Sequence, residues 1–212
     1  KLYLPKEAID LAIAAKTRPI VLADVADNPG SGATMDSVAL LRLLLKQGAS
    51  NVAIAAICDP QVVKQAKAAG VGATLHVTLG GKQAPEITGG PLVCLATVEN
   101  LTDGCFYNQG PMNHGLSVNF GDTTLLRIGG VQVIVCSNHA QPYDMGIFYH
   151  CGINPEEKNM LVVKSAVHFR AHYITIAQQI FDVETPALGC IQPQQLPLTH
   201  CRRPIYPLDD LM

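Results

Sequence analysis

The segment whose residue types suggest chemistry most strongly is a polar loop, Asp24-Val25-Ala26-Asp27-Asn28-Pro29-Gly30-Ser31-Gly32. It follows an apolar run and places a Gly-x-Gly pair before a predicted helix, an arrangement in which free backbone N–H groups can bind an anion. However, no Gly-Lys-Ser/Thr follows, Met35 stands where a dinucleotide fingerprint has Gly or Ala, and two aspartates repel phosphate. The competing interpretation is a tight turn in which Asp27 or Asn28 holds the backbone. The loop therefore predicts either a polar ligand contact or a structural turn.

A second polar set follows another apolar run and comprises Lys164, Ser165, His168 and Arg170. Ser165 is predicted to be the N-cap of a helix, which places His168 at its third position. His168 and Arg170 then lie on different faces of that helix, whereas Lys164 precedes it and can reach the end of the strand. The simpler alternatives are a Ser165 that only caps and a Lys164 that is only solvated.

Familiar catalytic and metal-binding motifs do not occur in the sequence. It contains no His-Glu-x-x-His, no His-x-His, no zinc-type Cys/His cluster and no Gly-x-Ser-x-Gly. Seven cysteines occur without C-x-x-C spacing, and several lie in apolar runs. This usage is typical of free thiols in a reducing compartment and favours a cytoplasmic location. We therefore expect no metal site and no complete catalytic triad in this chain, and its catalytic residues stay unassigned.

Composition limits the classes of partner. Of the 212 residues, 48% are hydrophobic and 15% are charged, and the net charge is -2. Without a basic excess, nucleic acid is not an expected partner. No apolar stretch approaches the ~20 residues that span a bilayer, so no membrane partner is expected either. The low share of charged residues indicates that another domain or subunit covers part of the surface, and a homo-oligomer is one such arrangement.

These polar segments must be positioned by alternating helices and strands. Apolar runs predict strands over residues 19–23, 51–57, 73–79 and 160–163, and helical periodicity predicts helices over 5–16, 35–47, 59–69, 144–151 and 165–179. Glycine-separated strand patterns at 92–101, 116–119, 123–128 and 131–136 predict a β-meander with a hairpin at Gly129-Gly130. We therefore predict a single α/β domain over residues 1–212, with a mixed, largely parallel sheet flanked by helices and a meander insertion in the middle.

Ligands of open α/β sheets bind beyond the carboxyl ends of the strands. The segments that follow predicted strands are the loop at 24–32, Asp59, the segment Ser137-Asn138-His139-Ala140-Gln141, and the set that begins at Lys164. If these strands are parallel, the four segments lie together at the edge of the sheet formed by the carboxyl ends of the strands, which we call the rim. The sequence thus predicts a site built from several loops.

Five motifs in order along the chain resemble the C-terminal domain of the microcystinase C (MlrC)-like metallopeptidase family. They are the 24–32 loop with Asp36-Ser37, Ala69-Gly70-Val71-Gly72-Ala73, Leu79-Gly80-Gly81-Lys82, Lys164-Ser165 with His168-Phe169-Arg170-Ala171, and Arg203-Pro204-Ile205-Tyr206-Pro207-Leu208-Asp209. One departure is Ala33-Thr34-Met35-Asp36-Ser37-Val38, where relatives read Ala-Pro-Gly-Asp-Ser-Thr. The change makes the start of the following helix less flexible and removes a hydroxyl group.

The resemblance implies the C-terminal half of a longer two-domain zinc metallopeptidase that cuts small linear peptides, including breakdown products of a cyclic cyanobacterial toxin. It implies that the absent N-terminal catalytic half binds the zinc and is the partner of this chain, which by itself binds no cofactor and is inactive. The residues expected to contact substrate are Asp24, Asp27, Asn28, Ser31, Gly32, Lys164, Ser165, His168 and Arg170, with Lys164 or Arg170 holding a peptide carboxylate.

Two other functions stay open on the sequence alone. The first is a non-catalytic binding or oligomerisation module of Rossmann-like architecture that only supports a neighbouring domain. The second is a Rossmann-like domain that binds a phosphorylated ligand. Fold-level resemblance does not decide among these chemistries.

Overall fold

A computed structural model describes residues 1–189, 191–196 and 198–210 of the chain. The described strands are β1 (Leu2–Tyr3), β2 (Ile20–Asp24), β3 (Val52–Cys58), β4 (Thr74–Leu79), β5 (Leu92–Thr102), β6 (Cys105–Tyr107), β7 (Ser117–Asn119), β8 (Thr123–Ile128), β9 (Val131–Cys136), β10 (Met160–Val163) and β11 (Gln179–Val183). The described α-helices are α1 (Pro5–Ala14), α2 (Ala39–Lys46), α3 (Pro60–Ala69), α4 (Pro85–Thr88), α5 (Gly146–His150) and α6 (Arg170–Tyr173). None of them is long and apolar enough to cross a bilayer.

Nine strands form one sheet in the order β1-β11-β2-β10-β3-β9-β8-β5-β4, and β6 pairs with β7 in a separate hairpin. Neighbours from β1 to β9 are parallel, whereas β8, β5 and β4 are added antiparallel. The predicted mixed, largely parallel sheet with a meander in the middle is confirmed. The hairpin predicted at Gly129-Gly130 is also confirmed, since Ile128 pairs with Val131.

Helices cover both faces of the parallel part of the sheet. Strands β2, β3, β9 and β10 are buried along their whole length, which explains why their sequences are continuous apolar runs rather than alternating patterns. One apolar core lies under α1, α2 and α3, and a second lies under α5, α6 and the β6–β7 hairpin. The rim at the carboxyl ends of the strands is therefore fixed from two sides.

Local signals placed α3 correctly. The side chain of Asp59 accepts a hydrogen bond from the backbone N–H of Val62, Pro60 occupies the first turn, and Gly70 ends the helix with φ +83°. The helix predicted over 35–47 was placed too early, because α2 begins only at Ala39. The intervening residues form the loop that closes over the rim.

The helix predicted over 165–179 is wrong in extent. Residues after Ser165 form turns, α6 covers only Arg170–Tyr173, and Gln179 begins β11. Ser165 is therefore not an N-cap, and His168 precedes the helix. Strand β11 lies between β1 and β2 in the sheet, so distant pairing partners stabilise it, and local periodicity does not reveal them.

The tail after β11 packs on the rim in its first residues. The N–H of Gly189 donates to the carbonyl of Ala26 at 3.0 Å. Six of the seven cysteines are free thiols; Cys190, also predicted to be free, lies outside the described residues.

We predict that Gly80→Ala destabilises the fold more than Gly72→Ala. Both glycines have positive φ, so each substitution strains the backbone by about 1–2 kcal/mol. A Cβ at Gly80 would also collide with the Asp36 carbonyl oxygen, whereas a Cβ at Gly72 would meet no heavy atom outside its chain neighbours within 4 Å. Overpacking adds roughly 1–3 kcal/mol for Gly80. Urea unfolding of both variants checks this, and equal losses would contradict it.

Candidate functional site

The parallel register brings two of the predicted polar sets together at the rim. Ala23 pairs with Val163, so Asp24 at the end of β2 lies beside Lys164 just after β10. On the other side, Asp24 pairs with Val183 of β11, and Thr185 follows two residues later. Residues 140 positions apart in sequence therefore meet, as the rule for parallel strands predicts.

Lys164 lies at the centre of a buried ion cluster. Its Nζ contacts Asp24 Oδ2 at 3.0 Å, Asp27 Oδ2 at 2.7 Å and the Ser37 carbonyl oxygen at 2.8 Å. The side chains of Lys164, Asp24 and Asp27 are 2%, 1% and 0% exposed. An ammonium group has three N–H donors, so all three are used within the chain.

Burial and charge act in opposite directions in this cluster. Burial lowers the pKa of Lys164, but the nearby charges and hydrogen bonds of Asp24 and Asp27 outweigh it and raise that pKa above its usual value. Burial raises the pKa of Asp24, and the positive charge of Lys164 only partly offsets that rise. The cluster therefore depends on a charged Lys164.

Asp27 fixes the path of the loop that precedes α2. Its Oδ1 accepts the backbone N–H of Met35 at 2.8 Å and the hydroxyl of Thr34 at 3.3 Å, and its Oδ2 accepts the N–H of Ser37 at 2.9 Å. The predicted tight turn held by Asp27 or Asn28 is confirmed, because Asn28 Oδ1 also accepts the N–H of Gly30. The glycine motif is therefore explained without a bound anion.

The two glycines of the motif have different roles. Gly30 gives clearance, because a Cβ there would lie 2.7 Å from Gln141 Oε1. Gly32 has φ +87°, a conformation that L side chains rarely adopt. Met35 also has positive φ, at 57°, and this is the position where the sequence departs from the glycine expected in relatives.

Above the ion cluster, Gln141 joins three of the predicted residues. Its Nε2 donates to Asn28 Oδ1 and to Ser165 Oγ, both at 2.9 Å, and its Oε1 lies 3.1 Å from His168 Nδ1. Ser165 is buried, whereas His168 is exposed. In this polar row, Asn28–Gln141–Ser165–His168, the buried Asn28 and Ser165 are joined through the partly exposed Gln141 to the exposed His168.

The hydrogen-bond directions along the polar row follow from one backbone donor. The N–H of Gly30 requires Asn28 Oδ1 to accept, so the group of Gln141 that faces Asn28 must be its NH₂. The carbonyl oxygen of Gln141 then faces His168 Nδ1, which must carry the hydrogen. In the neutral ring, Nε2 of His168 is thus the acceptor nitrogen.

The remaining predicted residues lie apart from these contacts. Ser31 is exposed, and its hydroxyl donates to the Asn28 carbonyl at 2.9 Å. Arg170 pairs with Asp182 at 2.6 Å. Sequence reasoning placed Gln141 in a rim segment without singling it out, and it missed Thr185, whose hydroxyl donates to Asp24 Oδ1 at 2.5 Å. No local pattern shows which polar residue of a loop points inward.

A second rim cluster surrounds Lys82. Its Nζ lies 2.7 Å from Asp59 Oδ2, which also accepts the N–H of Gly80. Asp36 Oδ2 accepts the backbone N–H groups of Lys82 and Gln83, while its buried Oδ1 has no hydrogen-bond partner. This cluster ties the end of β4 to the rim.

A third cluster anchors the insertion loop that follows β6. Asp144 lies 3.1 Å from His172 Nδ1 and accepts the backbone N–H groups of Gln109, Gly110 and Gly146 at 3.1, 2.7 and 2.7 Å. Burial opposes ionisation, but these hydrogen bonds outweigh it and lower the pKa of Asp144 to about 2.

Beside the rim lies a mainly apolar groove of about 1020 Å³. Its walls come from the starts of α1 and α2, from α4 and from the tail after β11. They comprise Leu4, Pro5, Lys6, Ala39, Arg42, Leu43, Ile87, Thr88, Gly89, Glu184, Thr185, Pro186, Ala187, Leu188, Gly189 and Leu196. None of the nine predicted residues lines the groove, but Thr185 connects it to Asp24.

The residues that the structure describes do not fit a metal site. Within residues 1–189, 191–196 and 198–210, no group of three or more His, Cys, Asp or Glu side chains could hold a metal ion. The carboxylates of the ion cluster are already occupied by Lys164 and by backbone donors.

Known proteins resemble the chain over most of its length. The family profile described as MlrC C-terminus matches residues 22–200. Microcystinase C of Sphingomonas sp. is 29% identical over 202 residues, which are 95% of this chain and 38% of that protein. A crystal structure from Mesorhizobium sp. BNC1, presented as that of a candidate metallopeptidase, matches with a TM-score of 0.87 and 28% identity over all of this chain and 42% of the other. The chain thus spans about two fifths of these relatives.

We predict that Asp27→Asn destabilises the protein more than Asp24→Asn. Both oxygens of Asp27 accept hydrogen bonds from N–H donors. In an asparagine at this position, the NH₂ group would therefore face a donor, and that donor would lose its acceptor. At position 24, the NH₂ can face Thr185, whose hydroxyl can also accept. We expect losses of about 3–5 kcal/mol for Asp27→Asn and about 1 kcal/mol for Asp24→Asn. Urea unfolding measures both, and a larger loss for Asp24→Asn would refute the geometry.

We predict an acid-sensitive contribution from Asp144. Its pKa is lower in the folded chain than the ordinary 3.8, so its stabilising effect is fully present above that value and is lost as the pH falls towards 2. The linked free energy is roughly 2 kcal/mol. Unfolding free energies measured from pH 6 to pH 2 should therefore fall less steeply for Asp144→Asn than for the parent protein. Parallel curves would contradict the prediction.

Proposed function

The chain belongs to the MlrC C-terminus family, and from this premise we propose that it is the C-terminal domain of a metallopeptidase-like hydrolase that cuts small linear peptides or related amides. In this proposal the chain supplies residues of the substrate pocket. The observation that carries it is the polar row, which presents an exposed His168 at the carboxyl ends of parallel strands.

His168 is the residue best suited to touch substrate. Its Nδ1 is engaged by Gln141, and its ring is exposed, so Nε2 is the nitrogen available to a ligand. Because Nε2 is an acceptor in the neutral ring, it is complementary to the N–H of a peptide bond. We therefore assign His168 to orienting the substrate amide, with Asn28, Ser31 and Gly32 forming the adjacent wall.

The buried ion cluster positions this wall. All three N–H donors of Lys164 are used inside the chain, so in our proposal Lys164, Asp24 and Asp27 support the substrate-contacting loop without touching the ligand themselves. Ser165 similarly holds Gln141. Arg170 pairs with Asp182 but is partly exposed, and it stays our candidate for a substrate carboxylate.

We propose that the metal ligands lie in the rest of the longer protein, with zinc as the ion and the cytoplasm as the location. The donor set described for this chain does not fit a metal ion. On β5, Val93 and Leu95 are 70% and 55% exposed, and such neighbouring apolar side chains suit a protein interface. In this proposal they face the N-terminal half.

The same exposed apolar residues favour a second candidate function. A non-catalytic binding or oligomerisation module would also present Val93 and Leu95 to a partner. Under that alternative, changes in the polar row alter neither peptide binding nor turnover, and only changes on β5 alter assembly. The two functions therefore differ in which surface matters for hydrolysis.

We predict that His168→Ala in the full-length protein lowers kcat/KM for a short linear peptide by roughly tenfold or more, because a hydrogen bond to substrate is lost. The melting temperature should not change, since the side chain is exposed. His114→Ala is the matched control, because His114 is also exposed and its Nδ1 is likewise engaged, by the Gln109 carbonyl oxygen. Peptide hydrolysis that persists with unchanged kcat/KM in His168→Ala would exclude His168 from the pocket.

A further inference from the structure

Two cysteines meet at the ends of neighbouring strands. Cys58 ends β3, Cys136 ends β9, and the two are register partners in the parallel pair. Neighbouring strands lie about 4.7–4.9 Å apart, which is within the Cα separation of roughly 4.4–6.8 Å that a disulfide bridges. Both side chains belong to the same apolar core, so they lie on the same face of the sheet.

The two thiols are not equivalent. The neighbouring Cys136 thiol is the largest influence on Cys58 and, with the nearby His139, lowers the Cys58 pKa. Burial, Asp59 and Asp36 oppose that shift. The neighbouring Cys58 thiol and burial raise the Cys136 pKa well above its usual value. Cys58 is therefore the more acidic thiol, and both residues are buried, with 5% exposure for Cys58 and 0% for Cys136.

A third thiol, that of Cys151, also lies near Cys136. Burial raises the pKa of Cys151 to about 12, and its residue is 1% exposed. Cys58 and Cys136 are register partners on neighbouring strands, whereas Cys151 lies at the end of α5, so Cys136 is the thiol placed to attack an oxidised Cys58. Cys151 therefore provides a natural control for the specificity of the pair.

We propose that Cys58 and Cys136 form an oxidisable dithiol whose substrate is a small peroxide. In the first step, the Cys58 thiolate attacks one oxygen of hydrogen peroxide, forming Cys58–S–OH and releasing hydroxide. In the second, the Cys136 sulfur attacks the Cys58 sulfur, the S–O bond breaks, and its oxygen leaves as water. Two thiols and one peroxide thus become one disulfide and two water molecules, and a dithiol reductant reverses the reaction.

The disulfide would act on the rim. Cys58 directly precedes Asp59, which caps α3 and pairs with Lys82. Cys136 precedes the segment that carries His139 and Gln141. Oxidation would therefore connect the two rim loops covalently.

The test uses reduced full-length protein exposed to a small excess of hydrogen peroxide and then alkylated under denaturing conditions. Mass spectrometry should show a peptide pair linked through Cys58 and Cys136 and a mass loss of about 2 Da for two hydrogen atoms. In Cys136→Ser, the link should be lost, and a sulfenic-acid probe should label Cys58. In Cys58→Ser, Cys136 should stay reduced.

Two control variants make the outcome specific. Cys151→Ser should retain the linked pair, and Cys105→Ser removes an exposed thiol without affecting it. Melting temperatures of the reduced variants establish that they are folded, and alanine replaces serine where serine unfolds the chain. The proposal is overturned if peroxide oxidises Cys105 while leaving Cys58 and Cys136 reduced, or if the linked partner of Cys58 is Cys151.

Discussion

The rim of this sheet depends on one buried ammonium group. A charged lysine is costly to remove from water unless its donors are all bonded, and Lys164 meets that condition with Asp24, Asp27 and the Ser37 carbonyl. These acceptors come from the end of β2 and from the loop that follows it. The ion cluster therefore fixes where that loop crosses the sheet, and through Asn28 of the same loop it helps to place the polar row.

Much of the fold could be predicted from the sequence because its main determinants are local. Apolar runs identified the buried strands, and the cap at Asp59 identified α3. The helix expected over 165–179 failed because β11 is held by β1 and β2, which are far away in sequence. Phe169 and Tyr173 are buried as a helical face would be, but their spacing describes only one turn of helix.

The location of the candidate site could be predicted from the sequence, but the burial and the contacts of its side chains could not. Parallel topology alone places Lys164 beside Asp24, and the sequence indicated that rim. Burial then distinguishes polar residues of the same loop: Asp27 is buried, whereas Ser31 is exposed. Which side of a loop faces inward is decided by contacts such as that between Gln141 and Gly30, and these arise only after the chain has folded.

The chain of hydrogen bonds from Gly30 to His168 explains why a motif that resembles an anion site does not have a free backbone donor for an anion. The N–H of Gly30 is used by Asn28, so it is not available to a phosphate. The side-chain amides of Asn28 and Gln141 then each have one allowed orientation, and the row ends at the exposed ring of His168, whose Nε2 is an acceptor. In our proposal, this acceptor is complementary to an N–H donor and offers no hydrogen bond to a phosphate oxygen. We therefore propose that the geometry that weakens a phosphate site suits a peptide amide.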